Sequence, residues 1–310
     1  MLGLITIALL TIADNSDFFT TPGMWLGAHR GPDIIIVVIF FLSGMALDSR
    51  QIQSGVSDLP GTLLALLLIF GCAPILAFSF SLLPLASDII LGLSLVAIMP
   101  TTLSSGVVMS GSAGGNMAHA LLITILANSL AVFTLPPTLS LLLGTALEGK
   151  IIGFDQAAIM MKIASLVLLP LICGICLRRI FDKQLRHLLS LTTIVNQVAV
   201  LAIVWIALSS GKEAILAEMD ILPVIVVIVF LFHLFLIVIG LATTRWAGMG
   251  KGRRESVIIM GGQKTLPLSI ILQVSLFPES GIALVVCVVH HLVHLIMDAF
   301  LLRYLLGKKE

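Results

Sequence analysis

Two short stretches of this chain hold residues able to do chemistry that their surroundings cannot. The first, MPTTLSSGVVMSGSAGGN (residues 99–116), sets Thr101, Thr102, Ser104 and Ser105 beside Pro100 and Gly106. The second, GGQKTLP (residues 261–267), sets Gln263, Lys264 and Thr265 between a pair of glycines and a proline. Proline and glycine interrupt helices, and an interruption leaves backbone N–H and C=O groups without helical partners. Free N–H groups at a helix start attract an anion. Hydroxyl and carbonyl oxygens are hard ligands for a small cation. Thr101, Thr102, Ser104, Ser105, Gln263, Lys264 and Thr265 are therefore the candidate substrate-binding groups. A third group is His290, His291, His294 and Asp298. Positions 291, 294 and 298 are spaced three and four apart, so they share a helix stripe. Such a stripe is a proton relay, a metal site, or a hydrogen-bonded network that fixes neighbouring helices. His119 and His233 stand alone and read as packing groups. Cys173 and Cys176 form a CxxC, which reads as two small apolar residues one helical turn apart rather than a redox or metal pair.

The elements that hold these residues must be membrane helices. Hydrophobic residues make up 59% of the 310, charged residues 11%, and the mean hydropathy is +1.17. Apolar stretches of about 20 residues recur, each long enough to cross the hydrocarbon core. The fold class is all-α and polytopic, with one transmembrane domain over residues 1–310 and no separate soluble domain. The net charge of +1 says nothing about partners, and no basic run points to nucleic acid, so none is expected. The four cysteines, Cys72, Cys173, Cys176 and Cys287, all fall in expected spans. Residues 1–13 read as a short first span rather than a signal peptide, because no basic segment precedes them and Asp14-Asn15 is no cleavage site.

Ten spans are expected, near 2–14, 33–48, 60–84, 88–111, 116–144, 157–178, 189–209, 221–244, 255–275 and 281–306. One side of the membrane then collects Arg50, Arg178, Arg179, Lys183, Arg186, Arg245, Lys251, Arg253, Arg254, Arg303, Lys308 and Lys309. The other collects only Arg30, Lys150, Lys162 and Lys212. The positive-inside rule makes the first side cytoplasmic, and both termini with it. Divided into halves at about 1–147 and 148–310, the chain has five spans in each, so the second half runs inverted relative to the first. Spans 4 and 9 are the fourth of each half, and both are broken. Matched breaks in inverted halves are the best sequence pointer to a secondary transporter's binding site. Pro100 lies 12 residues past Asp88, about 18 Å at 1.5 Å per residue, so that break falls near mid-membrane. Unwound backbone survives there only where protein encloses it.

The chain resembles the bile acid:sodium symporter family (BASS), and within it the branch of the seventh vertebrate bile acid carrier and its bacterial relatives. The resemblance rests on IFFLSGMALDSRQIQSG (39–55), MPTTLSSGVVMSGSAGGNMAHAL (99–121), ANSLAVFTLPP (127–137), GGQKTLPLSI (261–270) and HHLVHLI (290–296). It implies ten helices in two inverted repeats, with helices 3–5 and 8–10 as a core, helices 1, 2, 6 and 7 as a panel, and helices 4 and 9 crossing at their breaks. It also implies two Na⁺ sites. The first maps onto Ser104, Ser105, Thr124 and Asn128, of which Thr124 and Asn128 share a helix face. Of the second, only Gln263 remains; the family's glutamate aligns with Ile259 and its helix-3 glutamine with Ile69. Lys264 stands where the better-known members carry asparagine, while the closer branch carries lysine. A lysine at this depth is functional by default. Its ammonium is expected to take the missing second cation's place, either as a fixed charge or as a proton carrier.

These readings together give a secondary active transporter of an organic anion, bile-acid-like or another carboxylate or sulfated organic acid. It works by alternating access with Na⁺ as coupling ion and needs no cofactor; the bilayer and the substrate are its partners, and the sequence leaves the oligomeric state open, a monomer included. The cell's inner or plasma membrane is its expected location. The alternatives are a non-transporting regulator or scaffold that keeps the fold, and an H⁺-coupled or uniport carrier. An enzyme is not expected, since no HExxH pattern or second acidic cluster accompanies the histidines.

Overall fold

The computed structural model describes residues 2–46, 58–146, 155–181, 189–217 and 219–307. Among the expected residues, Arg50, Lys150, Lys183, Arg186, Lys308 and Lys309 lie outside these, as does the side chain of Ser104. The described residues form helices and no strands. In order they are α1 (Leu2–Ala13), α2 (Thr20–Ala28), α3 (Gly31–Ala46), α4 (Leu59–Ser81), α5 (Ser87–Ile98), α6 (Ser104–Ser112), α7 (Met117–Ala146), α8 (Gln156–Ile180), α9 (Leu189–Ala217), α10 (Leu222–Trp246), α11 (Arg253–Gly262), α12 (Leu266–Leu276) and α13 (Gly281–Gly307).

Seven of these, counting α11 and α12 together, are long and apolar enough to cross a membrane, and an eighth if α2 and α3 count as one bent span. Two shorter apolar helices, Gly3–Ala13 and Ser87–Ile98, accompany them. This is a multi-pass helical membrane protein.

Three boundaries differ from the sequence expectation, each for a local reason. Residues 20–28, expected as a loop, are helical. The Asp14 carboxylate accepts from the N–H groups of Phe19 (2.8 Å) and Thr20 (2.9 Å) and so organises the helix start. Arg30, at φ 60°, then turns the chain 82° into α3. The seventh span is expected to end near 209 and instead continues to Ala217, with Ser210 returning its hydroxyl to the Ile206 carbonyl (3.0 Å) inside the helix. Span 4 stops earlier and restarts earlier than its polar run suggests. Only 99–103 are unwound, and Ser104, Ser105 and Gly106 form the first turn of α6.

Two spans contain a wide, π-type turn, Leu68–Cys72 in α4 and Ala164–Leu168 in α8, each followed by a proline, Pro74 or Pro170. In α4 the Ala73 N–H bonds the Leu68 carbonyl, five residues back. The next donor in that register would be Pro74, which has no N–H. The Ile69 carbonyl is thereby released from the helix.

α3 packs against α8 and α9, and α1 and α2 also lie on α9. α4 packs on α5 and α11, α10 on α11 and α13, and α13 on α5 and α12. The span made by α11 and α12 is the most enclosed: 94% of its apolar window is buried, against 33–56% in the other six. The polar break between them therefore lies in protein rather than in lipid.

Candidate functional site

The two interruptions meet. The Thr265 N–H donates to the Pro100 carbonyl at 3.0 Å, joining one unwound segment to the other. The Thr102 hydroxyl donates to Gln263 Oε1 across the same gap. Gly106 permits the approach, since a Cβ there would stand 2.8 Å from Gln263 Oε1 and 2.6 Å from Thr102 Oγ1. Neither α6 nor α12 has a side-chain cap at its start, where Leu103 and Thr265 precede the first turn. Both helix N-termini at the crossing thus carry first-turn N–H groups without side-chain partners.

Lys264 lies between these segments, 2% exposed, its ammonium turned to backbone carbonyls rather than snorkelling to a surface. Its ammonium donates to the carbonyls of Ile69 (2.8 Å), Ala97 (2.9 Å) and Met99 (3.0 Å). Three N–H donors meet three acceptors, which is the full capacity of the group. The Ile69 carbonyl is the one released by the π turn and Pro74. The Ala97 and Met99 carbonyls belong to the end of α5, where a helix leaves its last carbonyls unpaired and its dipole negative. One side chain therefore fastens α4 and α5 to the second break.

Gln263 faces a different partner. Its Nε2 donates to Asp298 Oδ2 (2.9 Å) and lies 3.1 Å from Met109 Sδ, while its Oε1 accepts from Thr102. Asp298 Oδ1 is 2.9 Å from His233 Nε2. His233, 0% exposed, is packed beside His290 and His294, with ring centroids 5.7 and 5.6 Å away. His291 lies 4.7 Å from His294. Among the described residues, no group of three or more His, Cys, Asp or Glu side chains has the geometry to hold a metal ion.

The remaining expected ligands sit beside the first break. Asn128 is buried; its Nδ2 donates to the Thr124 carbonyl (2.9 Å) and the Thr101 carbonyl (3.3 Å), and its Oδ1 has no partner. Thr101 Oγ1 is also buried without a partner. The Thr124 hydroxyl bonds back to Ala120 (2.9 Å). Ser105 is half-buried in the first turn of α6. Gln263 is committed to Thr102 and Asp298 rather than offered beside Asn128.

Sequence reasoning missed several of these partners. His233 is not a lone packing group but the partner of Asp298. The signal was available, because it is the only ionisable residue in the long apolar run of α10, and intramembrane ionisable groups are rarely idle. His119 is not isolated either. It contacts Thr62 Oγ1 (3.1 Å) through Nε2 and Ser256 Oγ (2.8 Å) through Nδ1. Next to it Arg253 grips Asp58 with two bonds of 2.6 Å. That guanidinium holds the Asp58 carboxyl below its ordinary range. The carbonyl partners of Lys264 could not be read at all, since a backbone acceptor has no residue type. Cys173 and Cys176 are free and exposed on α8.

Two broken helices crossing inside an enclosed polar centre define a membrane carrier of the crossed-helix kind. The chain belongs to the SBF-like CPA transporter family, whose model matches residues 1–306. It is 28% identical over 280 residues to the chloroplastic protein of Arabidopsis thaliana named "Probable sodium/metabolite cotransporter BASS4", covering 86% of this chain and 64% of the plant protein. It is 24% identical to YfeH of Escherichia coli, over 96% of this chain and 91% of that one. Against "Sodium/bile acid cotransporter 7-B" of Xenopus laevis it is 22% identical, over 76% and 70% of the two chains. The chain spans about two thirds of the length of the plant relatives it matches, 64% and 66%. The family and these names are those of transporters, not enzymes.

Proposed function

We propose that this protein is a secondary active transporter of a small organic anion, bile-acid-like or another carboxylate or sulfated acid, coupled to Na⁺. One observation carries the reading. The two interruptions are joined at the centre of the protein, and they leave uncapped helix N-termini and two unpartnered buried oxygens, Asn128 Oδ1 and Thr101 Oγ1. The N-termini suit an anion, and the oxygens, with the hydroxyls of Ser104, Ser105 and Thr124, suit Na⁺. A scaffold has no use for unwound polar backbone inside its buried centre. The sodium cotransporter names of the relatives support the same reading.

The architecture in this proposal is ten spans in two inverted repeats, which counts α1, the bent α2–α3 pair and the α5–α6 pair as spans. α1–α3, α8 and α9 act as the panel and the remaining helices as the core. Alternating access is a rocking of one against the other around the crossing. The protein sits in the cell's inner or plasma membrane with both termini in the cytoplasm.

The test is thermal melting of purified protein across a set of organic acids, with and without Na⁺. Ligands that bind only the folded state raise the melting temperature by mass action. Na⁺ should do so for the parent, and not for a Thr124→Val, Asn128→Leu double variant that still folds. Equal Na⁺ stabilisation of both proteins would remove these residues from the cation site.

A further inference from the structure

The histidine cluster is larger than the carrier reading requires. His233 from α10 and His290, His291 and His294 from α13 form one continuous set of buried rings, with His290 and His294 centroids 5.3 Å apart. Five of their ring nitrogens have no partner among the described residues: His233 Nδ1, His290 Nε2, His291 Nδ1 and both nitrogens of His294. Neutral imidazole carries an N–H and a lone pair, and each wants a partner when buried. A packing network would have satisfied them, as His119 is satisfied by Thr62 and Ser256. The cluster also does not match a metal's geometry. What suits unpaired ring nitrogens next to a buried carboxylate is a proton, passed between rings directly or through water.

We propose that the His233–Asp298 pair, fed by the rings of His290, His291 and His294, is a proton-binding site that opposes cation binding at the crossing. The proposal rests on the carrier reading above and adds a second ion to it. The linkage is a chain of hydrogen bonds: His233 to Asp298, Asp298 to Gln263, and Gln263 to Thr102 in the first break. The next residue, Thr101, is held through its carbonyl by Asn128 of the proposed Na⁺ site. When the pair loses its proton, Asp298 keeps a negative charge beside Gln263. When it gains one from water, that charge is cancelled and the centre becomes one unit more positive. In a low-dielectric interior such a change disfavours a second cation nearby.

Few other charges face the cluster. Lys264 acts on His290 from the crossing. α12 has no titratable residue. α5 carries only Asp88, bound to Ser280 Oγ (3.0 Å) near the start of α13. α9 carries Lys212, turned towards Asp14 and Asp17, and Glu213 near its end. α10 carries Arg245 in its last turn and α13 carries Arg303, while α11, packed on α10, carries Arg253, Arg254 and Glu255 in its first turn.

Two measurements on the full-length protein in bilayers test this. Infrared pH-difference spectra read a buried carboxyl or imidazole directly, without substrate. A pH-dependent band is expected, and both Asp298→Asn and His233→Gln should remove it. Thermal melting with Na⁺ alone supplies the second reading. The apparent Na⁺ affinity should fall by up to about tenfold per pH unit on acidification in the parent and stay flat in both variants. His294→Gln leaves Asp298 and its partners untouched. It should retain the fold and alter the band, which keeps the test open if Asp298→Asn does not fold. A missing band, or one unchanged in the variants, overturns the proton site. A band with pH-independent Na⁺ affinity overturns the link to the crossing. A band with no Na⁺ stabilisation at any pH upholds the proton site and removes the sodium reading instead.

Discussion

Lys264 decides how the centre is held, because its ammonium donates to three buried carbonyls from two other helices. Removing it leaves those oxygens buried and unpaired at roughly 1–3 kcal/mol each. Lys264→Asn is too short to reach all three, so it should lower the melting temperature and abolish ligand stabilisation. Lys264→Arg keeps the charge but adds a planar fork where three acceptors converge on a point, so it should be tolerated only in part. If the ammonium stands in for a second Na⁺, adding Ile259→Glu and Ile69→Gln to Lys264→Asn supplies the groups found in the sodium-coupled members. That triple variant should show a second Na⁺ dependence, its Hill coefficient moving from about one towards about two. A Lys264→Asn protein that melts normally and keeps its Na⁺ response would end this account. At this scale the sequence was informative about type and poor about partners. Gln263, Lys264 and Asp298 stand out as polar groups in apolar runs. His233 stands out equally, yet its partner lies 65 residues away, and only folding joins them.

Elements are held apart or together by what their contact faces lack. α3 and α8 touch backbone to backbone: a Cβ on Gly44 would stand 2.2 Å from the Leu171 carbonyl, and one on Gly174 would stand 2.1 Å from that of Phe41. Small residues permit such approach in membranes, where packing rather than hydrophobicity drives association. Gly44→Ala or Gly174→Ala should therefore force the helices apart and cost about 1–3 kcal/mol or more. Gly144→Ala, with nothing within 4 Å, should be neutral or slightly stabilising in its helix. The comparison is a melting series, and equal melting of all three variants would refute the close contact. The breaks in spans 4 and 9 could be read from Pro100, Pro267 and the glycines, but their limits could not. Ser104 and Ser105 look like loop residues in isolation, and here they open a helix because that helix start needs no side-chain cap. The π turn of α4 left only Pro74 as a trace, and its consequence, a free Ile69 carbonyl, depends on a lysine from the other end of the chain.

At the scale of the whole molecule, the first and second halves of the chain are fastened at three depths. One end has the Asp58–Arg253 pair, His119 on Ser256, and the Asn116 N–H on the Gly252 carbonyl (2.8 Å). The middle has Lys264 and the Pro100–Thr265 bond, and the far end has Ser280 on Asp88. These ties join helices that the proposed architecture places in one core, so the side on which Arg253 lies orients everything inside it. Pairing to Asp58 and Glu255 takes Arg253 and Arg254 out of any net-charge argument. The positive-inside rule counts Lys and Arg near span ends rather than net charge, so the proposed cytoplasmic side still rests on Arg178, Arg179, Arg245, Lys251 and Arg303. A cysteine in the loop before α11 tests it. Gly252 is the wrong place: its φ of 85° strains any other residue, and Glu255 holds its N–H at 2.6 Å. Gly250 is exposed, with open space around its Cα. In a background with Cys173 and Cys176 replaced by alanine, Gly250→Cys should resist an impermeant thiol reagent applied to intact cells and react once the membrane is opened. Rapid labelling in intact cells would place this end of the block outside and invert the orientation of both termini.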